Sequence, residues 1–482
     1  MDKALTPAIA ANRFGLGARP GELAAIGRSG PDWLRAQLQG PAPEIGDAGL
    51  QSSATILTQI YDLRRTLRAA RADRSPPRAC AEQGQCSAMD SGAVSAGAGA
   101  FKKLGQLVRP IYVAEAGARL RASVATDRPF VERLTHFWAN HFAVSIDKSV
   151  LAALAGSYER EAIRPYVLGS FTDLLLATQR HPAMLLYLDN QMSMGPDSRA
   201  ARNIGRRNPD RKVGINENLA RETMELHTVG VDGGYTQTDV SSFSEVLTGW
   251  SIAGPDGGRT GAQPGTFLFR PAMHQPGPKV VMGKRYPDTG YDQGVAVLRD
   301  LASRPATARF IATKLARHFI ADDPPARAVA RIAAAFARTG GDLPTVYQTL
   351  IESPEPWEQP VAKYKSPADF IVSAFRGLEL PVREKAPVGL FQMLGQRIWA
   401  PGSPAGWPDR SPDWDGASDL LKRIEWADAV GQRIGPRRNA MELAPQLLGS
   451  VLGGATREAI AHAESAAQGL ALLLASPEFM RR

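Results

Sequence analysis

Apolar residues recur at helical spacing along most of the chain, and polar start signals precede several of these runs. Val240, Phe243 and Leu247 lie three or four residues apart, the spacing that places side chains on one face of a helix. Thr236 and Asp239 stand before them in the arrangement of a capping box, in which both side chains accept hydrogen bonds from amides of the first turn. The pattern therefore predicts a helix that opens after Thr236.

The same start signal opens further helices, whereas strand patterns are scarce. Ser170 with Asp173 and Ser366 with Asp369 repeat the spacing, and Pro367 stands at the first helical position, where proline is favoured. Runs with helical periodicity continue to the last residues. We predict a mainly α protein, a large multi-helix domain with a small β-hairpin insertion.

Three segments interrupt the helical pattern. Residues 75–100 are rich in Gly, Ala and Ser, and we interpret them as a flexible insertion. Residues 192–216 carry six Arg and Lys side chains against two Asp, and they predict a basic loop. Residues 254–294 are rich in Gly and Pro and contain two apolar segments, 266–270 and 279–282, which we predict to form a β-hairpin.

Composition places the chain among folded globular proteins. Its 482 residues are 44% hydrophobic and 22% charged, far from the low-hydrophobicity range of disordered chains. We interpret residues 1–482 as a single helical domain. The two cysteines, Cys80 and Cys86, are too few for a four-cysteine zinc site, and they leave a small surface disulfide open.

Charge and targeting signals narrow the range of partners. The formal net charge of +9 indicates either an anionic partner or a solvated basic surface. The basic loop contains no aromatic residue that could stack on bases, which disfavours nucleic acid. No apolar run reaches the roughly 18 residues of a membrane span. Because the first residues lack the apolar stretch of a secretory signal, we expect a cytoplasmic protein or one exported with a partner.

The densest group of polar residues lies on a helix that we predict to start at Asn216. Asn218, Glu222 and Glu225 follow at i, i+4 and i+7 and therefore share one face. Two carboxylates one turn apart are able to hold a divalent metal, or to split their pKa values into an acid and a base. The alternative is an ordinary ladder of ion pairs, since Arg221 lies four residues before Glu225.

Histidines supply the other candidate chemistry. His136 and His141 share a predicted helix with Asn140, but a separation of five residues turns them about 140° apart, onto different faces. We place His136 and Asn140 on the polar side, and His141 on the apolar side as a hydrogen-bonded core residue. His227 points away from the carboxylates of its helix. His274 lies in a loop between the two predicted strands, a position typical either of functional side chains or of a turn histidine that bonds its own loop.

The remaining histidines and the missing motifs restrict the chemistry further. We interpret His181 and His318 as structural and His462 as a surface residue. The sequence contains no His-Glu-x-x-His pair, no Gly-x-Ser-x-Gly elbow and no phosphate-binding Gly-x-x-x-x-Gly-Lys-Ser/Thr loop. Common hydrolase and nucleotide-binding classes therefore lose support.

Several longer motifs resemble the bacterial family DUF1800, a domain of unknown function, and the resemblance runs nearly from end to end. It supplies no catalytic residues. The motifs that carry it are NRFGLGARPGE, HFWANHF, HPAMLLYLDN, NENLARETMELHTVGVDGGYTQTDV, LTGW, MHQPGPKVVMG, PATARFIATKLARHFIADDPP, KYKSPADFIVSAFRGL, GWPDRSPDW and LLLASPEFMRR.

The resemblance implies a gene neighbour and shows two departures. The chain is similar to proteins whose genes lie beside genes for a second family, DUF1501. The DUF1501 proteins resemble the alkaline phosphatase and sulfatase group and often carry a twin-arginine leader. Many relatives carry a leader of their own, which this sequence does not show. Where the family commonly has His-Asp after its strand, this chain has His274-Gln275, which argues against a strict His-Asp dyad in that loop.

Two hypotheses from different classes follow. The first is an enzyme with a His/Glu/Asn polar pocket over which the His274 loop closes, with a divalent metal as cofactor in one version. The second is a non-enzymatic binding or maturation partner of a DUF1501-type protein. Under the first hypothesis the catalytic residues are His136, Glu222 and His274, the binding residues are Asn140, Asn218, Arg221 and His227, and the metal ligands are Glu222, Glu225 and His136.

Overall fold

The computed structural model describes residues 6–47, 49–72, 89–208, 210, 213–255, 261–358, 361–383 and 386–482. In this part of the chain 24 α-helices carry most of the regular structure, and the β structure is limited to four strands of three residues. The mainly α fold with a small β insertion is therefore confirmed. None of the described helices combines the length and the apolar character that a membrane span requires.

Helices from the first part of the chain pack around one hydrophobic core. Phe14 stacks on Trp357 and Phe319, and Trp138 stacks on Phe142, all of them buried. The helices up to the β insertion are α1 Thr6–Ile9, α2 Glu22–Ile26, α3 Gly30–Gln37, α4 Ser53–Ala72, α5 Met89–Ala125, α6 Pro129–His141, α7 Leu151–Tyr158, α8 Phe171–Arg180, α9 Pro182–Tyr187, α10 Arg199–Arg207, α11 Asn218–Glu222 and α12 Gln237–Val246.

The predicted helix starts form as the capping signals indicate. Thr236 and Asp239 make the reciprocal capping box before α12. The side chain of Ser170 accepts a hydrogen bond from the amide of Asp173 at the start of α8. These polar caps satisfy amides that a helix leaves without partners in its first turn.

The two predicted strands form, but each pairs with a different segment. Strand β1 (Trp250–Ile252) pairs antiparallel with β2 (Phe267–Phe269), and β3 (Lys279–Val281) pairs antiparallel with β4 (Lys284–Tyr286). The predicted pairing of segment 266–270 with segment 279–282 is therefore wrong.

A tight turn explains the pairing of β3 with β4. Met282 and Gly283 both have positive φ, 46° and 80°, as a two-residue type I′ hairpin requires. The chain therefore reverses immediately after Val281. On the other side, Gly249 ends the turn after α12 with φ of 81°, which allows Trp250 to enter β1 instead of continuing the helix.

Two other segments differ from their predicted structure. Within residues 192–216, α10 forms after Ser198, whose side chain accepts a hydrogen bond from the amide of Ala201. Residues 89–100 of the predicted flexible insertion belong to helix α5. The rest of that insertion, with Cys80 and Cys86, lies outside the described residues.

The chain continues from the β insertion into further helices and then builds a second hydrophobic core. Helices α13 to α17 complete the first core, and α18 to α24 form the second with Leu16, Ala116 and Leu120. Their bounds are α13 Tyr291–Ser303, α14 Pro305–Phe319, α15 Ala326–Thr339, α16 Leu343–Glu352, α17 Glu355–Glu358, α18 Pro367–Gly377, α19 Ala386–Met393, α20 Ala417–Ile434, α21 Ala440–Leu448, α22 Gly454–Ala461, α23 Ala466–Ala475 and α24 Pro477–Met480.

Buried polar and aromatic groups join the two cores. The guanidinium of Arg376, on α18, donates to the carbonyl oxygens of Gly17 and Ser123 and pairs with Glu22 at 3.0 Å. Trp399 packs against both cores. A cavity lies at this junction, a common position for ligand sites.

Candidate functional site: a cationic cavity between two cores

The cavity has a volume of about 350 Å³. One wall is α6, a second is α14, and the third is formed by the start of α18 and by segment 396–414. Seven cationic side chains line it against three carboxylates, so the lining carries an excess of positive charge. The cations are Arg119, Arg133, Lys314, Arg317, Arg397, Arg410 and Arg482, and the carboxylates are Asp369, Asp409 and Asp413.

Helix α6 presents one broad face to the cavity. Arg133, His136, Phe137, Asn140 and His141 all line it, at i, i+3, i+4, i+7 and i+8. On a helical wheel His136 and His141 lie at the two edges of this face, about 140° apart, with the other three between them. His136 has polar neighbours, whereas His141 is buried among aromatic rings and bonds the carbonyl oxygen of His227, in line with the predicted polar and core positions. The face toward the cavity is wide enough to include both.

Behind His136 lies a buried network of charges. His136 Nε2 lies 3.1 Å from Ser123 Oγ and 3.5 Å from Glu132 Oε1. Glu132 is fully buried and accepts two hydrogen bonds from Arg164, at 2.5 and 2.9 Å. Burial would raise the pKa of Glu132, but the Arg164 guanidinium holds that pKa well below its usual value. Burial and the nearby charge of Arg119 lower the pKa of His136, so the imidazole is neutral at pH 7.

Asn140 holds the third wall against α6. Its Nδ2 donates to the carbonyl oxygen of Trp407 at 2.8 Å, and its Oδ1 accepts from the amide of Trp407 at 2.7 Å. The Trp407 ring lies 5.8 Å from that of Trp414, and both line the cavity. Asn140 therefore positions the wall of the cavity.

Substituting Gly406 by alanine is expected to break this clamp. Gly406 has φ of 82°, and a Cβ there would collide with the carbonyl oxygen of Asn140 and lie 2.7 Å from its Oδ1. We expect the free energy of unfolding to fall by about 2 to 3 kcal/mol, about 1 to 2 of it from backbone strain. Amide hydrogen exchange across residues 401–414 should accelerate.

The matched control is Gly402→Ala. Gly402 has φ of 74°, but a Cβ there meets nothing within 4 Å. The Gly402→Ala variant therefore measures the cost of backbone strain without a steric collision. Equal exchange rates in the two variants would show that the clamp does not hold the wall.

Helix α14 supplies the second wall. Lys314, Arg317 and His318 lie at i, i+3 and i+4 and all line the cavity. His318 Nδ1 lies 2.9 Å from Asp409 Oδ2, whereas its Nε2 is buried and makes no hydrogen bond with any described residue. Since Asp409 accepts a hydrogen bond, we assign the proton of the neutral ring to Nδ1 and the lone pair to Nε2.

Burial makes the protons of this helix face easy to lose. It lowers the pKa of His318 to about 4, against the opposing effect of Asp409. It also lowers the pKa of Lys314 to about 8. The face therefore combines a neutral imidazole with an amine that is partly neutral at physiological pH.

A cluster of ion pairs, most of whose members are buried, holds Asp409 in the lining of the cavity. Asp409 Oδ1 lies 3.3 Å from Lys363 Nζ and 3.6 Å from Arg482 Nη2. Arg482 Nε also pairs with Asp369 at 3.0 Å, and Asp369 pairs with Arg133 at 3.2 Å. Because Asp409 has several partners at once, its side chain has little conformational freedom, and the cluster keeps it beside His318.

His141 and His227 meet through a distorted helix end. Residues Thr223–His227 form a π-helical turn, which displaces the end of the predicted regular helix. The carbonyl oxygen of His227 lies 3.1 Å from His141 Nε2, and His227 Nδ1 lies 3.1 Å from Gln179 Nε2. His227 is fully buried and does not line the cavity, whereas His141 does. The backbone of His227 therefore helps to position the His141 ring at the cavity.

The carboxylate face predicted on α11 lies outside the cavity lining. Arg221 pairs with Glu217 at 2.9 Å and with Glu225 at 3.5 Å, the ion-pair ladder weighed as the alternative. Glu222 is half-buried, and burial and the neighbouring Glu225 raise its pKa. Asn218, the first residue of α11, donates its backbone amide to Asn216. None of these residues belongs to the lining.

His274 is part of the β insertion and not of the cavity lining. It is buried, with Nδ1 3.0 Å from the carbonyl oxygen of Thr248 and Nε2 3.8 Å from Asp288. Its neighbour Gln275 bonds Asp197 instead. The imidazole thus bonds Thr248, 26 residues earlier in the chain, and not its own loop as the turn-histidine interpretation had it.

The structure thus separates the residues assigned to a metal. His136 lines the cavity, whereas Glu222 and Glu225 do not. Across the described residues, no three His, Cys, Asp or Glu side chains are grouped as ligands of one ion. Of the residues assigned from sequence, the cavity brings together His136 and Asn140.

The fold and site define a mainly helical protein with a cationic cavity between two cores. The chain belongs to the family described as "Protein of unknown function (DUF1800)", whose sequence model matches residues 9–481. Comparisons with curated proteins and with solved structures each find no match.

Sequence reasoning missed the chemistry of α14. The sequence predicts a structural role for His318, and no motif points to Lys314, Asp409 or Arg482. A signal was present: Lys314 and His318 stand four residues apart in TKLARHF, so they share a helix face with Arg317. Asp409 lies 91 residues away, and no spacing rule links it to His318.

Proposed function

We propose that this chain is an enzyme that acts on a small anionic substrate in the cavity between its two cores. His318, oriented by Asp409, exchanges the proton. Lys314 and Arg317 bind the negative charge of the substrate.

The observation that carries the proposal is the uncompensated charge of α14. Of the seven cations in the lining, five have a carboxylate within 4.0 Å: Arg119, Arg133, Arg397, Arg410 and Arg482. Lys314 and Arg317 have no such partner among the described residues, and Arg317 Nε donates only to the carbonyl oxygen of Asp322. Two neighbouring unpaired cations in a partly enclosed space favour an anionic ligand.

The imidazole of His318 supports an enzymatic role in addition to binding. A histidine held at Nδ1 by a carboxylate keeps one tautomer and one orientation, which prepares Nε2 to accept a proton. The low pKa of His318 leaves Nε2 unprotonated before the substrate binds. A bound anion adds negative charge nearby and raises that pKa, which makes the ring a stronger base. His136, at the other edge of the cavity, is a second neutral imidazole.

Phosphate binding is the first test. We expect inorganic phosphate to raise the melting temperature of the full chain and to bind measurably by calorimetry. Arg317→Gln should weaken that binding at least tenfold, because one of the two unpaired cations is lost. Arg221→Gln is the matched control: it removes an arginine that the sequence predicted to bind ligand but that lies outside the lining, and it should leave the affinity within twofold.

Turnover is tested with a panel of phosphorylated and carboxylated metabolites, followed by NMR. We expect His318→Gln to keep phosphate binding and to convert any active metabolite at least 100-fold more slowly than the parent. Absence of phosphate binding, or equal binding by Arg317→Gln, would overturn the proposal.

The hypothesis of a DUF1501-type partner stays a prediction. Helix α20 exposes Leu421 and Ile424, with exposed fractions of 56% and 42%, beside Leu420. An apolar surface of this kind is what that hypothesis requires. Co-purification with a DUF1501-type protein is its test.

A further inference from the structure

Lys314 differs from the six other cations of the cavity lining in having no polar partner among the described residues. Among the described residues, its Nζ makes no hydrogen bond and no ion pair, and it lies over the Phe310 ring, 5.6 Å from the centroid. A lysine that only balances charge is normally found beside a carboxylate. Lys314 instead faces the cavity.

Charged and titratable groups surround Lys314 from several elements, and of these Asp409 alone opposes the loss of its proton. On its own helix lies the cation Arg317. From α6 and from the π-helical turn come His141 and His227, both buried and neutral because burial lowers the pKa of each. From segment 396–414 comes Asp409, which already accepts from His318 and pairs with Lys363 and Arg482.

We propose that Lys314 is a nucleophilic amine that forms an imine with the carbonyl group of a small anionic aldehyde or ketone. The inference rests on the proposed function, which supplies the anion site, and deepens it by naming the substrate class. Arg317 keeps the anionic group, whereas Lys314, which attracts the anion while it is protonated, attacks the carbonyl carbon after it has lost that proton. The low pKa of Lys314, about 8, agrees with this role, since the neutral amine is the reactive form.

The step balances without any further reagent. The lone pair of Lys314 Nζ attacks the carbonyl carbon, a C–N bond forms, and the carbonyl π electrons move to the oxygen. One Nζ proton moves to that oxygen to give the neutral carbinolamine. Loss of the hydroxyl group with the second Nζ proton releases water and leaves the C=N bond. His318, four residues along the same face, is able to carry these protons through its Nε2.

Pyridoxal 5′-phosphate is the probe, because it is an aldehyde with a phosphate group. The full chain is treated with this compound at pH 7.5, reduced with borohydride, digested and mapped by mass spectrometry. At this pH a lysine with a pKa near 8 has a neutral fraction about 200-fold larger than a lysine at 10.4. We expect Lys314 to be labelled at least tenfold faster than Lys148 and Lys422, surface lysines that pair with Asp189 and Asp419.

Three controls separate the outcomes. Pyridoxal, which lacks the phosphate, should label Lys314 at least fivefold more slowly. Excess inorganic phosphate should protect Lys314 but not Lys148. Lys314→Arg should remove the labelled peptide while the labelling of Lys148 is unchanged.

The failure of this inference is distinguishable from the failure of the proposed function. If phosphate binds to the parent protein but Lys314 is labelled no faster than Lys148, the imine is excluded and the anion site stands. If phosphate does not bind, the proposed function fails and the inference fails with it. Equal labelling by pyridoxal and its phosphate would overturn the recognition of an anionic substrate.

Discussion

Replacing Glu132 by alanine is expected to lower the free energy of unfolding by about 3 to 5 kcal/mol, as measured by urea unfolding. The carboxylate is fully buried and accepts both hydrogen bonds of the Arg164 fork. Removing it leaves the buried Arg164 guanidinium with Glu159, 3.4 Å away, as its remaining ion-pair partner. Breaking a buried ion pair by removing one partner is among the largest single costs in a folded protein, and the longer contact with Glu159 replaces only part of the lost pairing.

A matched control uses a carboxylate of the same type on the surface. Glu225 pairs with Arg221 at 3.5 Å, and both side chains are partly exposed to water. Glu225→Ala should change the free energy of unfolding by less than about 1 kcal/mol. If Glu132→Ala does not fold, Glu132→Gln removes the charge and keeps the shape. A loss no larger than that of Glu225→Ala would contradict the importance of the buried pair.

Acid is expected to destabilise the protein steeply between pH 6 and pH 5. Burial lowers the pKa of His227 to about 3 and that of His318 to about 4, whereas both titrate near 6.5 in the unfolded chain. The unfolded state therefore binds more protons in this window, and stability is lost as the pH falls. Each imidazole contributes about 1 kcal/mol per pH unit.

Between pH 6 and pH 5 the imidazoles titrate, whereas the carboxylates of the ion cluster titrate at lower pH. The pKa of Asp369 and that of Asp409 are both lowered in the fold, so the stability that they contribute is lost only below about pH 4, the unfolded value. His227→Gln should flatten the slope of unfolding free energy against pH by about 1 kcal/mol per unit. His462→Gln, at an exposed histidine, is the control for the loss of an imidazole from the surface. An unchanged slope in His227→Gln would mean that His227 is protonated in the folded state.

Local signals in the sequence predict local structure well, as Thr236 and Ser170 show. Both caps depend on residues three apart, so their hydrogen-bond partners are visible in the local sequence. Strand pairing is less accessible, because it depends on which segments the tertiary fold brings together. Met282 has a positive φ, which a residue of its type rarely adopts, and this local turn pairs β3 with β4 instead of with segment 266–270.

The residues of the site also fall into a group that the local sequence predicts and a group that depends on the tertiary fold. His136 and Asn140 lie on one helix, and the sequence alone places them on the cavity side. The pairing of His318 with Asp409 joins two distant segments, whereas Glu222 and Glu225 stand close together in the sequence. Surface carboxylates produce the same helical spacing as a buried site, since both follow the geometry of the helix. Burial distinguishes them, and burial is a property of the tertiary structure.

The division into two cores implies an order of assembly during synthesis. The buried members of the first core end at Trp357, apart from Ala400, so most of it is able to collapse while later codons are still being read. Leu16 and Leu120 belong to the second core and stay uncovered until α18 to α24 leave the ribosome. For that interval the nascent chain presents an apolar surface to chaperones. The contact of His318 with Asp409 forms late, because Asp409 follows 91 residues after His318, so a chain that stops before segment 396–414 lacks one wall of the cavity.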